Sequence, residues 1–486
     1  MTRPFLLSAL ALAVLAGCAS PKGIAPPGEQ ALAPATLLPA NAADATDTAP
    51  LATRWWQALG DAQLDALVDQ ALAGNPSLRL AQARLAKARA QADLTDASMG
   101  PQVNAALDAT HQRYTENGMV PPPLAGDIRD TATLQLNGAW ELDFFGKHEA
   151  ALQAALGQAR AAQADADAAR VLLSTQVVRT YLQLARAEAQ QAVAQRTLAQ
   201  REHLLRLVQE RVAAGLDSEL ERRQAEGAVP EARQQIEAWA EQAQLARLAL
   251  AALAGQPGQA VASTTPNLQA LRALPTPAML PADLLGRRAD VAAARWRVEA
   301  ATQDATQARA QFYPNVNLVG FVGLSSIGLN QLLDAGSLQW GVGPAIRLPL
   351  FDSGRLRAQL RGKNADVDAA TASYNATLID AVRQVSEQLA SGQSVARQQA
   401  QQAQAQQAAE AALQIAQLRY EKGLGNYLQV LSAETQVLAQ RRLAVDLQAR
   451  ALDAQASLAH ALGGGWVPPA TQASTDAATP VASARP

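Results

Sequence analysis

From about Lys147 to Val212 the chain contains no proline and a single glycine, Gly157. A helix over that stretch, rising 1.5 Å per residue, would run for about 100 Å. Ordinary globular helices average about 11–12 residues, so this one cannot be folded into a compact core. Hydrophobic residues recur at seven-residue spacing, from Val171 to Val178, Leu198 to Leu205 and Leu205 to Val212. Such a repeat predicts helices packed side by side, and the many alanines between allow close approach. The composition agrees: 49% of residues are hydrophobic but only 4% aromatic, and 17% are charged. Alanine with Leu, Arg, Gln and Glu is a long-helix mixture.

Beside this helix the period changes from seven to two. Ala132, Leu134, Leu136, Gly138, Trp140, Leu142 and Phe144 face one way, and Thr131, Thr133, Gln135, Asn137, Glu141 and Asp143 the other. Soluble strands run about 5–6 residues, whereas a tilted membrane-barrel strand needs about 9–11 in the bilayer. A shorter alternation covers Val103, Ala105, Leu107 and Ala109, followed by a Pro/Gly-rich loop over 114–130. Alternation returns at Val316, Leu318, Gly320, Val322 and Leu324, and again from Leu338 to Leu350. Pro344 in the last run marks an edge strand or a bulge.

The chain repeats itself at an offset of 208. Gly146 returns as Gly354, Arg211 as Arg419, Gly215 as Gly423, Leu216 as Leu424 and Glu226 as Glu434. The organisation expected is therefore two copies of one plan. The first, 53–255, holds a helix over 61–98, a β-hairpin over 102–145 and helices over 147–254, with a kink at Gly227 and Pro230. A connector, 256–281, leads to the second, 282–462, with a helix, a hairpin over 314–351 and helices over 353–461. Residues 463–486 are biased toward Gly, Pro, Ala and Thr and read as a disordered tail.

The N-terminus sets the compartment. Arg3 followed by the short apolar run Phe5–Ala16 is a secretion signal, 1–17, too short to span a bilayer. The single cysteine follows at once in Leu15-Ala16-Gly17-Cys18, which resembles a bacterial lipobox. An acylated Cys18 would anchor the chain to a membrane by itself. Residues 18–52 read as an extended lipid-anchored tether, and Ala19 fits onward sorting to the outer membrane. No other run of about 18 apolar residues exists, so no transmembrane helix is expected.

Several functions are excluded. With 41 basic and 43 acidic residues the net charge is −2, so nucleic-acid binding lacks its electrostatic footprint. One cysteine and four scattered histidines give no metal-site spacing, and four unclustered methionines no soft-metal relay. No nucleophile–base set or phosphate loop is legible, so the chain is not expected to be an enzyme. Four membrane strands per chain cannot close a barrel, because open edges leave peptide groups unsatisfied in hydrocarbon. Three copies would supply twelve strands around a wet lumen lined by Thr131, Thr133, Gln135, Asn137 and Asp143.

Particular stretches carry a resemblance. They are the lipobox; Trp55-Trp56 followed by Asp61, Leu64, Leu67 and Asn75-Pro76; Trp140-Glu141-Leu142-Asp143; and Leu280 to Val291. With them come Phe312-Tyr313-Pro314, Leu350-Phe351-Asp352-Ser353-Gly354-Arg355, and Ala461-Leu462-Gly463-Gly464-Gly465-Trp466. In this order, over nearly all of residues 1–466, they resemble the TolC-like outer-membrane factors of tripartite efflux systems. The branch is the lipoprotein (NodT/OprM-type) one that works with resistance–nodulation–division pumps.

The resemblance implies an α+β membrane protein: a homotrimer with a twelve-stranded outer-membrane β-barrel continuous with a long periplasmic α-helical barrel. It implies a passive exit duct for small molecules, with a periplasmic adaptor and an inner-membrane pump as partners. Its only prosthetic group would be a diacylglycerol and an N-acyl chain on Cys18. It assigns Arg211, Gly215, Leu216 and Ser218, and Arg419, Gly423, Leu424 and Asn426, to periplasmic tips that meet the adaptor. Tyr420, Ser432 and Glu434 are gate candidates. The family often has aspartate where this chain has Ser432, and Glu434 reads more simply as an exposed helix charge. A type I secretion duct, or a lipid-anchored coiled-coil scaffold without a pore, are the alternatives. The four amphipathic strands weigh against the scaffold, and the lipobox with Trp55-Trp56 favours the pump-associated branch.

Overall fold

The computed structural model describes residues 20–37, 51–257, 261–274 and 286–468. The signal segment, Cys18, residues 280–285 of the quoted motif and the tail beyond 468 lie outside the described residues. Helix α1 (Ala62–Gly74) and helix α2 (Pro76–Ala97) replace the single helix expected over 61–98. The break is at Asn75, which is extended at φ −68°, ψ 125° because the following proline disfavours the helical region. Asn75 makes the corner useful: its Oδ1 accepts from Ser77 N at 2.8 Å and its Nδ2 donates to Leu253 O at 2.8 Å.

Strands β1 (Gln102–Arg113), β2 (Ile128–Leu142), β3 (Asn315–Ile327) and β4 (Leu338–Arg347) form one antiparallel sheet in sequence order. β2 is shorter than its sequence alternation. Asp143 and Phe144 lie beyond its end, and the Asp143 carboxylate accepts from the backbone N of Lys147 (2.7 Å), His148 and Glu149 (both 2.9 Å). It therefore caps the next helix, α3 (Lys147–Ala213), instead of lining the strand face. β4 likewise ends before Leu348 and Leu350, and Pro344 sits in it on the sheet's edge, where a missing N–H is tolerated.

The remaining helices are α4 (Glu219–Ala254), α5 (Ala289–Ala310), α6 (Ser353–Glu421) and α7 (Tyr427–Ala461). α4 runs through Pro230 without ending. No helix among the described residues is long and apolar enough to cross a membrane.

The chain divides into two units. One comprises the described parts of residues 1–31 with 83–163 and 293–375, and contains the sheet. In it, residues 20–30 are no loose tether. They run along α6, whose Arg357 donates to Ser20 O and Lys22 O, Asn364 to Ala25 O, and Asn375 to Gln30 O. Asp368 accepts from Gly28 N and Glu29 N at 2.8 and 2.9 Å. Phe312 packs with Leu356 and Leu360, while Phe145 stacks on Tyr313 at 4.8 Å. Trp140 Nε1 donates to Met99 O at 3.1 Å.

The other unit comprises the described parts of 32–82, 164–292 and 376–486. Its core gathers Trp55, Trp56, Leu59, Leu64, Leu67 and Val68 against Val177, Val178, Tyr181 and Leu182 of α3. Asp61 caps α1 through Gln63 N at 2.9 Å and accepts a hydrogen bond from Tyr181 Oη at 2.6 Å. The described connector also packs in, with Val261, Leu268, Leu271 and Leu274 buried. Arg288 clamps Asp290 with two hydrogen bonds (3.0 and 2.7 Å) and donates to Ala461 O.

Residues 463–466 are ordered parts of this unit, against the expectation of disorder. Gly463, Gly464 and Gly465 take φ of 92°, 58° and 73°. A Cβ on them would lie 2.2 Å from Arg287 O, 2.4 Å from Val171 Cγ1 and 2.2 Å from Ala52 O. Trp466 Nε1 then donates to Asp167 at 3.0 Å. A glycine run reads as flexible in composition, but here the missing side chains are what let the backbone pack.

Candidate functional site

Strand register sorts the sheet into two faces, since directly paired residues share a side. On one lie Val103, Leu107, Leu134, Leu136, Trp140, Leu318, Val322, Trp340, Val342 and Ile346, all exposed. A continuous exposed apolar face of this kind marks contact with lipid or another protein. On the other lie Gln102, Asn104, Asp108, Thr131, Thr133, Gln135, Asn137, Asn317, Ser325 and Gln339. Gln339 Nε2 donates to Gln135 Oε1 at 3.2 Å, and Gln135 in turn donates to Asn137 Oδ1.

In the second unit the two helix–helix turns lie close together. α3 closes with Gly215 at φ 73°, Gly215 N donating to Val212 O and Leu216 N to Arg211 O. α6 closes the same way, with Gly423 at φ 72°, Gly423 N to Tyr420 O and Leu424 N to Arg419 O. This left-handed exit satisfies the last carbonyls and reverses the chain, which glycine does without a Cβ clash. Ser218 then caps α4 in a reciprocal box with Glu221, and Asn426 caps α7 through Gln429 N at 3.0 Å. Arg419 donates to Leu424 O at 3.3 Å.

Between the turns sits a polar latch. Arg211 Nε donates to Asp217 Oδ2 at 2.9 Å and its Nη1 to Tyr420 O at 3.2 Å. Tyr420 Oη donates to the same Asp217 Oδ2, and the Arg211 guanidinium lies 4.5 Å from the Tyr420 ring centre. Burial alone would raise the Asp217 carboxyl, but hydrogen bonds from Arg211 and Tyr420 outweigh it and hold it below its usual range. Burial, then Asp217, pushes the Tyr420 phenol up. Tyr420 and Tyr427 are buried among Leu204, Val208, Ala225, Leu413 and Val430, so four helices meet here.

The sequence profile of the family described as "Outer membrane efflux protein" matches residues 67–256 and 280–464. Over 474 residues the chain is 34% identical to "Outer membrane protein OprJ" of Pseudomonas aeruginosa, covering 96% of this chain and 97% of that one. It is 38% identical over 380 residues to "Fusaric acid resistance protein FusA" of Burkholderia cepacia, covering 76% and 71%. Among solved structures it is similar to the outer membrane protein VceC of Vibrio cholerae, with a TM-score of 0.82 and 38% identity, covering 86% of this chain and 100% of that one. The chain belongs to the outer membrane efflux protein family.

In this outer membrane efflux protein the expected site residues separate into three environments. Arg211, Gly215, Leu216 and Ser218 share one turn, and Arg419, Gly423, Leu424 and Asn426 the other; Tyr420 joins them through the latch. Ser432 is exposed and makes no part of it. Glu434 is not the exposed charge its sequence setting implied: it is 3% exposed. Its carboxylate lies 3.7 Å from Arg201 Nε, an ion pair without a hydrogen bond, and both oxygens lack a hydrogen-bond partner among the described residues. Burial raises the Glu434 carboxyl despite Arg201. Arg201 spends its Nη1 on Ala228 O and Glu231.

Sequence reasoning missed Asp217 and Arg201. Asp217 has no counterpart at the 208 offset, where Gly425 stands, and that asymmetry is the signal that could have found it. It also missed Leu220 and Leu428, which are themselves 208 apart and, like Leu216 and Leu424, more than half exposed.

Proposed function

We propose that this chain forms a passive exit duct for small molecules in a tripartite efflux system driven by a resistance–nodulation–division pump. The observation that carries the reading is the four-stranded sheet with one apolar face, one polar face and the outer edges of β1 and β4 unpaired among the described residues. Unpaired peptide groups each cost several kcal/mol in hydrocarbon. Three copies would join β1 of one chain to β4 of the next and close twelve strands around the polar face. The long helices would then continue the conduit as a periplasmic tube.

The same reading takes 1–17 as a signal peptide, Cys18 as the acylated N-terminus, and 53–255 and 282–462 as repeats joined by 256–281. The two separate stretches matched by the family profile support the repeat. The exposed leucines at both turns, with Arg211, Gly215, Ser218, Arg419, Gly423 and Asn426 shaping them, would receive a periplasmic adaptor. The name of the Burkholderia relative ties that protein to resistance against a small organic acid, which supports small molecules as cargo. Nothing observed favours a protein-secretion partner.

The Arg211–Asp217–Tyr420 latch would hold the turns together at rest. Detergent-purified protein should have the mass of three chains and conduct ions across a planar lipid bilayer. Tyr420→Phe removes a hydrogen bond to a charged group, about 1.5–3 kcal/mol, and should raise that conductance, as should Asp217→Asn. A monomer that passes no current would end the duct reading. Unchanged conductance in both variants would end the latch.

A further inference from the structure

We infer that Gly341, the glycine facing Phe321, keeps that ring out of the lumen and so leaves the barrel open to wider solutes. Gly341 is a pit in which the Phe321 ring lies down, and the ring stands into the lumen when that pit is filled. The inference rests on the barrel reading above and adds a size-determining residue to it.

Phe321 is out of character for its position. Register places it in one row with Asn137 on β2 and Gly341 on β4, on the face that carries Asn104, Thr133, Gln135 and Gln339, with Val319 as its apolar neighbour along β3. An aromatic ring upright there would narrow a water-filled passage three times over, once per copy. The structure shows it lying across β4 instead. A Cβ built on Gly341 would be 2.7 Å from Phe321 Cε1 and 3.0 Å from Cζ, so the ring occupies the volume a side chain at 341 would need.

The next row is built on the same plan. Gln135, Gly323 and Gln339 are paired neighbours, and the Gln339–Gln135 hydrogen bond of 3.2 Å reaches across Gly323. A Cβ on Gly323 would lie 2.3 Å from Leu134 O, so that strand contact excludes any larger residue. Two adjacent rows thus put their large side chains flat over a glycine. Gly343 provides the contrast: it lies on the same face of β4 with nothing within 4 Å of its Cβ position. A side chain added there displaces no ring.

The test uses the full-length oligomer in planar bilayers, with poly(ethylene glycol) of graded size added on the side of the β1–β2 loop to read the barrel's width apart from the helix turns. Gly341→Val should lower the polymer size cut-off for entry from that side. Gly343→Val, adding the same side chain without a ring to move, should do less. The double variant Gly341→Val with Phe321→Ala should recover the wild-type cut-off, a rescue that simple bulk at 341 would not give. Equal effects of the two valines, or a double variant as narrow as Gly341→Val, would overturn the proposal.

If Gly341→Val fails to assemble, Phe321→Ala alone decides the matter. Removing a ring that already lies flat should leave the cut-off near wild type, whereas marked widening would mean that the ring stands in the lumen and would overturn the proposal. A wild-type protein that forms no pore would instead overturn the barrel reading itself.

Discussion

Asp217, half-buried, and Glu434, buried, are carboxylates near helix turns, and their surroundings move them in opposite directions. Asp217 has hydrogen bonds from Arg211 and Tyr420 that more than offset its burial, so its folded state holds the proton less tightly than the unfolded chain. Its stabilisation is present above the usual carboxylate value of 3.8 and is lost as pH falls through the depressed one. Glu434 faces Arg201 of α3, with Glu231 of α4 opposing and Tyr427 near by, and desolvation dominates. Tyr427 itself is pushed up to about 12 by burial and then by Glu434. A carboxyl raised in the folded state contributes full stability below its usual value of 4.5 and loses it as pH rises through the raised one. The first turns of α7 should therefore lose protection against amide exchange, corrected for intrinsic rates, as pH rises above 4.5. In Glu434→Gln the corrected protection should be flat over that range; a wild-type slope retained in the variant would assign the titration elsewhere. The sequence showed Glu434 only as a charge on a helix, because no periodicity of one helix reveals what two others bring to its side.

Elements were the most legible scale. Uninterrupted helix former over sixty-odd positions and period-two alternation are local properties, and α3, α6 and the four strands follow from them. The errors fell at element ends, where one side chain decides. Asn75 broke a helix, and Asp143 exchanged a strand face for a helix cap. Gly354 shows the same limit, since its 208-offset partner Gly146 has φ 71° just before α3 whereas Gly354 lies inside α6. The sheet's apolar face gives a direct prediction. Leu136 pairs with Ala105 and Val322 in the middle of that face. Leu136→Arg should cost roughly 2–4 kcal/mol per chain at the bilayer midplane, seen as a loss of assembled protein from the outer-membrane fraction. Normal assembly would mean that this face does not meet lipid.

At the scale of the whole molecule, the proposed acyl anchor and the proposed closed barrel would be separate sources of membrane attachment. An acyl chain contributes about 0.8 kcal/mol per buried CH₂, while a closed barrel is held by its own apolar belt. Cys18→Ser should abolish incorporation of labelled fatty acid while assembled barrels still form. Fatty-acid labelling that persists in the variant would refute the lipobox. Residues 20–30 are bonded along α6 from Arg357 to Asn375, so the protein itself would hold the chain next to an acylated Cys18.

Amino-acid order alone determined where the helices and strands run, which strand face is apolar, and that four strands must find partners. Each of these depends only on residue spacing and on the refusal of peptide groups to enter hydrocarbon unpaired. Tertiary structure decided which polar groups meet: Arg211 with Asp217 and Tyr420, Glu434 with Arg201, Phe321 with Gly341. Apart from Arg211 with Asp217, those contacts join residues twenty to more than two hundred positions apart, and the energy of a buried charge or a filled pit depends on the neighbours that packing supplies.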